Sequence, residues 1–344
     1  MRSALKRRFF LTFLLLLVTS GAASFYGAAA GAPEKSVKKP VLNGTFIQLL
    51  DENGSWSSAR WEQLFNSFQA IGLTQVVIQW SHLDDRAFYA SPTTGGTPKP
   101  IEIILQMAQA RGIEVYLGLA AESRYWEMIK LPPAGQKEYL KQLRWKSEQV
   151  ARQLAGTASS YEAFKGWYIP EEIDDLTWRA PASRQLLFQH LKELSAFLKE
   201  LTPGEQVLLS AFSNARMDPD SYQQFWSDLL RQSSVDILLF QDAAGTGKLP
   251  RELLPIYLRA LRSATDASNK KLQVVVELFE MVAETPFKAL PAPIKRVKQQ
   301  LQVAGDYASG GINAFSVPDY LLLEGSAPAK ELFDGYLKYK EGHP

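Results

Sequence analysis

The chain has 344 residues, 46% of them hydrophobic, and a formal net charge of +2. That is enough apolar material for one large α/β core, and no basic face announces a nucleic-acid partner. Cysteine is absent, which excludes disulfides, thiolate zinc sites, cysteine nucleophiles and iron–sulfur clusters.

The N-terminus opens with a positive cluster, Lys6, Arg7 and Arg8, then an apolar run over 9–18, then small residues over 20–30. This order reads as a secretory signal peptide over 1–30. The run is shorter than the roughly 17–25 residues that a membrane span needs. Inner-membrane anchoring through an uncleaved segment is the alternative reading, with the Ala/Gly tail extending it. Without a cysteine after the leader, a bacterial lipoprotein is excluded, and a periplasmic or secreted bacterial protein is expected. Residues 31–41, rich in Pro and Lys, read as a linker. Asn43-Gly44-Thr45 matches a glycosylation acceptor by chance, because it opens a predicted strand.

From residue 42 the pattern alternates. A strand is expected over 42–50, then a helix whose apolar positions Trp61, Leu64, Phe65, Phe68 and Ile71 follow helical spacing up to Gly72. A second strand over 76–80 precedes a long polar loop to Pro98 and a helix over 101–111. The third strand, 114–119, leads to a helix over 137–154. The fourth lies around Trp167 and is followed by a leucine-rich helix ending at Pro203-Gly204. Strands over 206–211, 235–240, 273–278 and 311–317 each precede a helix, over 222–230, 251–265, 293–304 and 329–339. Eight strand–helix pairs in strict alternation predict a parallel sheet closed as an α/β (β/α)₈ TIM barrel over 42–340. An open doubly wound sheet is the rival, but its Gly-rich first turn is not seen at Asp51–Ser55.

In such a barrel the site lies at the C-terminal ends of the strands. Reading those ends gives Gln48, Gln79, Trp80, Glu122, Glu171, Glu172, Ser210 with Asn214, Gln241, Asp242, Glu277, and Asn313 or Ser316. Carboxylates, amides and indoles suit a neutral polyhydroxyl ligand. A lysine–arginine cluster for phosphate is lacking. With only three histidines, His82, His190 and His343, no metal site is expected, and no cofactor.

Two stretches have the same design. Gly166-Trp-Tyr-Ile-Pro-Glu-Glu is an apolar strand running into acid at Glu171 and Glu172. Leu272-Gln-Val-Val-Val-Glu is a buried-type strand running into Glu277. Two opposed carboxyl groups are the machinery of glycoside hydrolysis, one protonated to donate and one ionised to attack or to activate water. Any single glutamate is better explained by an ion pair or a helix cap; the pairing of strands four and seven favours a site. Strand alternation places Glu172 inward if Tyr168 and Pro170 face inward, with Trp167 and Ile169 in the helix layer. Glu172 is therefore the expected acid, Glu171 its rival, and Glu277 the nucleophile. Trp56, Trp80, Trp126 and Trp178 fall on strand-end loops; core packing is the default for each, and a sugar-stacking groove is the alternative. Asp84-Asp85 read as a solvated loop, and Asp174-Asp175 as support for Glu172 or a helix cap. Gly245-Thr-Gly-Lys248 ends like a phosphate loop but lacks its leading glycine and its Ser/Thr.

Gly44-Thr-Phe46, Val77-Ile-Gln-Trp80, Gly166 to Asp174, Leu239-Phe-Gln-Asp242 and Val276-Glu-Leu-Phe279 together resemble a family of exported bacterial proteins of unknown function, with glycoside-hydrolase-like TIM barrels. More distantly, the chain is similar to the clan of retaining glycosidases with acid on strand four and nucleophile on strand seven. That clan usually has Asn just before the acid; here Glu171 stands there. The resemblance implies a glycosidase acting on a polysaccharide or oligosaccharide. The rival is an inactive glycan-binding barrel in exopolysaccharide assembly or export.

Overall fold

The computed structural model describes residues 39–90 and 99–342; the expected leader, most of the linker and His343 lie outside these residues. Eight strands, β1 Gly44–Ile47, β2 Gln75–Ile78, β3 Glu114–Gly118, β4 Phe164–Ile173, β5 Gln206–Ala211, β6 Ile237–Gln241, β7 Lys271–Glu277 and β8 Ile312–Phe315, run parallel, and β8 pairs with β1 to close the barrel. The helices that return the chain are α1 Ser58–Ile71, α2 Pro100–Gln109, α3 Pro133–Ala158, α4 Pro181–Leu201, α5 Pro219–Gln232, α6 Leu254–Ala267, α7 Ile294–Tyr307 and α8 Ala327–Lys340. The expected TIM barrel is the observed fold.

Local chemistry sets the boundaries. Ser57 caps α1 by accepting the Arg60 amide at 3.3 Å, and Gly72, at φ 86, ends it in the left-handed conformation that a side chain resists. Trp61, Leu64, Phe65, Phe68 and Ile71 form the buried face of α1, as their spacing predicts.

Side-chain alternation divides every strand between two cores. Outward residues join the large layer between strands and helices; Trp167 and Ile169 lie there, and the Trp167 indole donates to Thr202 Oγ1 beyond α4 at 2.8 Å. Inward residues, among them Phe46, Val77, Tyr168, Leu208, Leu239 and Val275, fill the barrel. Toward the N-terminal end a polar layer closes it: Gln75 Nε2 donates to Gln273 Oε1 at 3.2 Å and Asn313 Nδ2 to the same oxygen at 2.6 Å. Asn313 thus belongs to the barrel floor and not to the rim where the sequence put it, because it is an early inward position of β8. Two residues beyond the apolar plug, at the opposite end, stand Gln48, Gln79, Gln241 and Glu277.

Two additions decorate that end. Phe279–Ala283 and Lys288–Pro291 form an antiparallel hairpin after β7. His82–Leu83, Arg86–Ala87 and Ala120–Ala121 form a small sheet after β2 and β3.

Candidate active site at the barrel mouth

The C-terminal mouth opens into a concave cavity at the strand ends, whose space of about 850 Å³ takes in the open solvent at its entrance. Its wall mixes four carboxyl side chains, Glu122, Glu171, Glu172 and Glu277, with three amides, Gln48, Gln79 and Gln241, and with the rings of Trp80, Tyr125, Trp126, Phe212, Phe279 and Phe315.

The end of β4 is not a continuous strand. Ile169 pairs with Leu209 of β5, and the next pair is Glu172 with Ser210. Pro170 and Glu171 form a two-residue bulge, started where Pro170 has no N–H for the ladder. Two extra residues preserve the parity of alternation, so Glu172 faces the barrel axis. Its Oε1 accepts the Gln241 Nε2 of β6 at 2.9 Å, and its backbone carbonyl accepts the Tyr125 hydroxyl at 3.1 Å. Burial pushes its carboxyl upward, against the Gln241 hydrogen bond and the positive charge of Lys248.

Glu171 turns the other way. Its Oε1 lies 2.7 Å from His190 Nε2 of α4, and both side chains are only 2% exposed. It touches the cavity wall, but its carboxyl group is engaged in the helix layer. Of the two neighbouring acids, Glu172 is the one that presents its carboxyl group to the axis.

Glu277 ends β7, 4% exposed. Ala243 takes the left-handed conformation at φ 54, and the amides that follow turn inward: Gly245 and Thr246 donate to Glu277 Oε2 at 2.6 and 3.0 Å. Burial, and the Asp242 carboxylate behind it, push the Glu277 carboxyl upward; the two amides and Lys248 oppose this. Asp242 does not reach the cavity. It is an outward residue of the β6 end, where Gln300 Nε2 donates to it at 2.6 Å and Ala244 N at 3.1 Å, and burial pushes its carboxyl up to about 6. Its part is to brace the loop that holds Glu277, which corrects its placement among the ligand-contacting residues.

Trp80 and Trp126 reach the cavity wall; Trp80 is anchored by donating to the Leu49 carbonyl at 2.7 Å, and Trp126 packs on Phe212 with ring centroids 5.9 Å apart. Glu122 is on the wall, paired with Lys146. Tyr168 and Trp178 do not reach it. Tyr168 is a barrel-interior residue below the mouth, its hydroxyl donating to Ser210 Oγ at 2.8 Å. Trp178 is fully buried in the 3₁₀ turn Thr177–Arg179, so it is core and not a platform. Asp174 caps that turn through the Thr177 amide at 2.7 Å. Asp175, with no exposed surface, ties together the loop after β5 by accepting the amides of Asn214 and Arg216 at 2.6 and 2.7 Å. Asp84 holds Ser123 in the same way, at 2.8 Å.

Sequence reasoning passed over Lys248, Phe212, Phe279 and Phe315. Lys248 lines the cavity with its ammonium 4.7 Å from the centre of the Phe212 ring, and burial lowers its pKa to about 8 against the pull of Glu172 and Glu277. Its signal was present in the Gly-Thr-Gly-Lys run, read against the wrong chemistry: the loop amides grip the protein's own carboxylate instead of a phosphate.

Among solved structures, the fold is similar to a protein of Bacteroides thetaiotaomicron VPI-5482 described as a "putative alpha-L-fucosidase", with TM-score 0.72, 18% identity, and 91% of this chain and 99% of that one covered. It is similar to the endo-beta-1,4-mannanase of Thermotoga petrophila, with TM-score 0.56, 14% identity, and 90% and 78% covered. At these identities the likeness is one of fold. In sequence, the chain is 28% identical over 259 residues to the "Uncharacterized protein YbcH" of Escherichia coli (strain K12), covering 74% of this chain and 82% of that protein. The family described as "Domain of unknown function (DUF4434)" matches residues 42–330, nearly the whole barrel, and the chain belongs to that family, with a (β/α)₈ TIM barrel as its fold.

Proposed function

We propose that the protein is a glycoside hydrolase acting on an oligosaccharide or polysaccharide, with Glu172 as general acid and Glu277 as nucleophile of a retaining reaction. The observation that carries this reading is the convergence of two inward carboxyl groups, from β4 and β7, on one aromatic- and amide-lined cavity. Amides and indoles of this kind hold sugar hydroxyls and sugar faces without demanding charge on the ligand.

The chemistry follows from the two environments. Glu277 Oε2 accepts two backbone N–H groups, which require a lone-pair acceptor and so favour the ionised form; Oε1 is left to attack the anomeric carbon. Glu172 accepts a single side-chain amide, and burial favours its protonated form, suited to delivering a proton to the leaving oxygen. After departure of the aglycone, Glu172 takes a proton from water, and hydroxide displaces Glu277. The test is a screen of the protein against nitrophenyl glycosides and bacterial polysaccharides, beside Glu172→Gln and Glu277→Gln. Turnover of at least one substrate is expected, falling by roughly 10³-fold or more in both variants. Full activity in either variant, or none in the unaltered protein, refutes the assignment.

A second reading, glycan binding without turnover, draws on one observation: the position before Glu172 is Glu171, engaged by His190, where the resembling glycosidases keep an amide beside the acid. Saturable binding with no release of reducing sugar would select it. We further propose export of the chain, on the strength of its leader, with residues to about Ala30 removed. Mass spectrometry of the native N-terminus checks this, and an intact Met1 in the cytosol contradicts it.

A further inference from the structure

We infer that Lys248 is a positioning residue for the carboxyl pair, supplying from inside the cavity the positive charge that Glu172 and Glu277 share, so that this pair holds one carboxylate and one carboxylic acid. Among the described residues that line the cavity, Lys248 is the only cationic side chain. It stands two residues after Thr246, on the loop whose amides hold Glu277, and its ammonium rests on the Phe212 ring. The groups that act on it come from three sides: Glu172 and Asp174 from β4 and the turn after it, Glu277 from β7, and Glu284 from the hairpin loop. Asp174 is occupied in capping the Thr177 turn. Glu277 also sees Asp242, which accepts from Gln300 at 2.6 Å, and the Arg296 guanidinium, which donates to the Glu277 backbone carbonyl at 3.0 Å from outside the cavity.

The argument is one of charge balance in a water-poor space. Two carboxylates facing one cavity repel, and burial opposes each charge. One ammonium compensates one negative charge and leaves the second uncompensated, so the favoured state keeps one proton on the pair. Burial and Asp242 push the Glu277 carboxyl up to about 8, but two backbone N–H groups aimed at one of its oxygens favour the negative charge there over Glu172, which accepts one side-chain amide; the proton is accordingly assigned to Glu172. An uncharged residue at 248 removes the one cation inside the cavity and leaves only Arg296, behind Glu277, so both carboxyl groups then hold their protons to higher pH.

The catalytic meaning of this device rests on the glycosidase reading; the charge balance does not, and the experiment separates them. Glutamate side-chain carboxyls labelled with ¹³C are titrated by NMR in the unaltered protein, Lys248→Met, Lys248→Gln and Lys248→Arg, with Glu172→Gln and Glu277→Gln assigning the two resonances. Both carboxyls are expected to titrate about 1 unit or more higher in the Met and Gln variants, the scale of a lost neighbouring charge, and to return toward the original values with Arg. Unchanged titration in both neutral variants, with native near-UV circular dichroism, overturns the inference whether or not the protein turns over a glycoside. Where turnover is found, both limbs of the pH–rate profile move to higher pH in Lys248→Met, because Glu277 must lose its proton and Glu172 must keep it. A drop in rate with the profile unmoved overturns the inference equally.

Discussion

At the residue scale, one bulge separates two chemically identical neighbours into different lives. Alternation alone carried Glu172 inward in the sequence, through Tyr168 and Pro170; in the fold the inward direction survives only because the bulge contains two residues and not one. A single-residue bulge would have exchanged the two glutamates. What sequence could not give was the partner of Glu171, since His190 is nineteen residues away on a helix face that reads as core. The pair at the mouth also has a stability consequence. Glu172 has a folded-state pKa raised by burial, so its contribution is fully favourable below its unfolded pKa and is lost as pH rises through the folded one. Glu172→Gln keeps the acceptor for Gln241 and cannot ionise. It is expected to melt higher than the unaltered protein at pH 7, with the difference vanishing toward pH 4. Thermal denaturation at the two pH values checks this; a variant less stable at pH 7 contradicts it.

At the element scale, the eight strand–helix units were legible because each strand is buried on both faces and each helix carries its own period. The hairpin over 279–291 and the two-residue strands near His82 and Ala120 were not, being too short or too exposed to leave a periodic trace. The β6–α6 loop matters most for the site. Gly245 sits where a Cβ would lie 2.5 Å from the Phe279 carbonyl and 2.8 Å from Glu277 Oε2, and its own carbonyl accepts the Met281 amide at 2.9 Å. The loop, the hairpin and the carboxylate are therefore packed too closely for any side chain at 245. Gly245→Ala is expected to displace Glu277 and to cost about 10²-fold in kcat/KM, the scale of a misplacement near 1 Å, while Gly247→Ala, where a Cβ meets open space but φ is 68, should cost stability more than rate. Steady-state kinetics with parallel melting curves separate the two; equal rates for Gly245→Ala and the unaltered protein would show that the loop does not set the carboxylate.

At the scale of the whole molecule, the barrel divides its labour by end. A polar lock of Gln75, Gln273 and Asn313 closes the N-terminal side, an apolar plug fills the middle, and the raised carboxyls of Glu172 and Glu277 and the lowered ammonium of Lys248 stand together at the C-terminal mouth. Such perturbed groups are tolerated where they are used. The central claim is that Glu277 attacks a sugar, and an activated 2-deoxy-2-fluoro glycoside of whichever sugar the screen selects tests it most directly. Retention requires carboxyl groups only about 5–5.5 Å apart and passes through a covalent glycosyl-enzyme, which the fluorine makes long-lived. Mass spectrometry of the digested protein is predicted to find one sugar per chain, on the peptide that carries Glu277 and absent from Glu277→Gln. A label on Glu171, Glu172 or Lys248, or turnover of the parent glycoside with no label at all, would contradict the account.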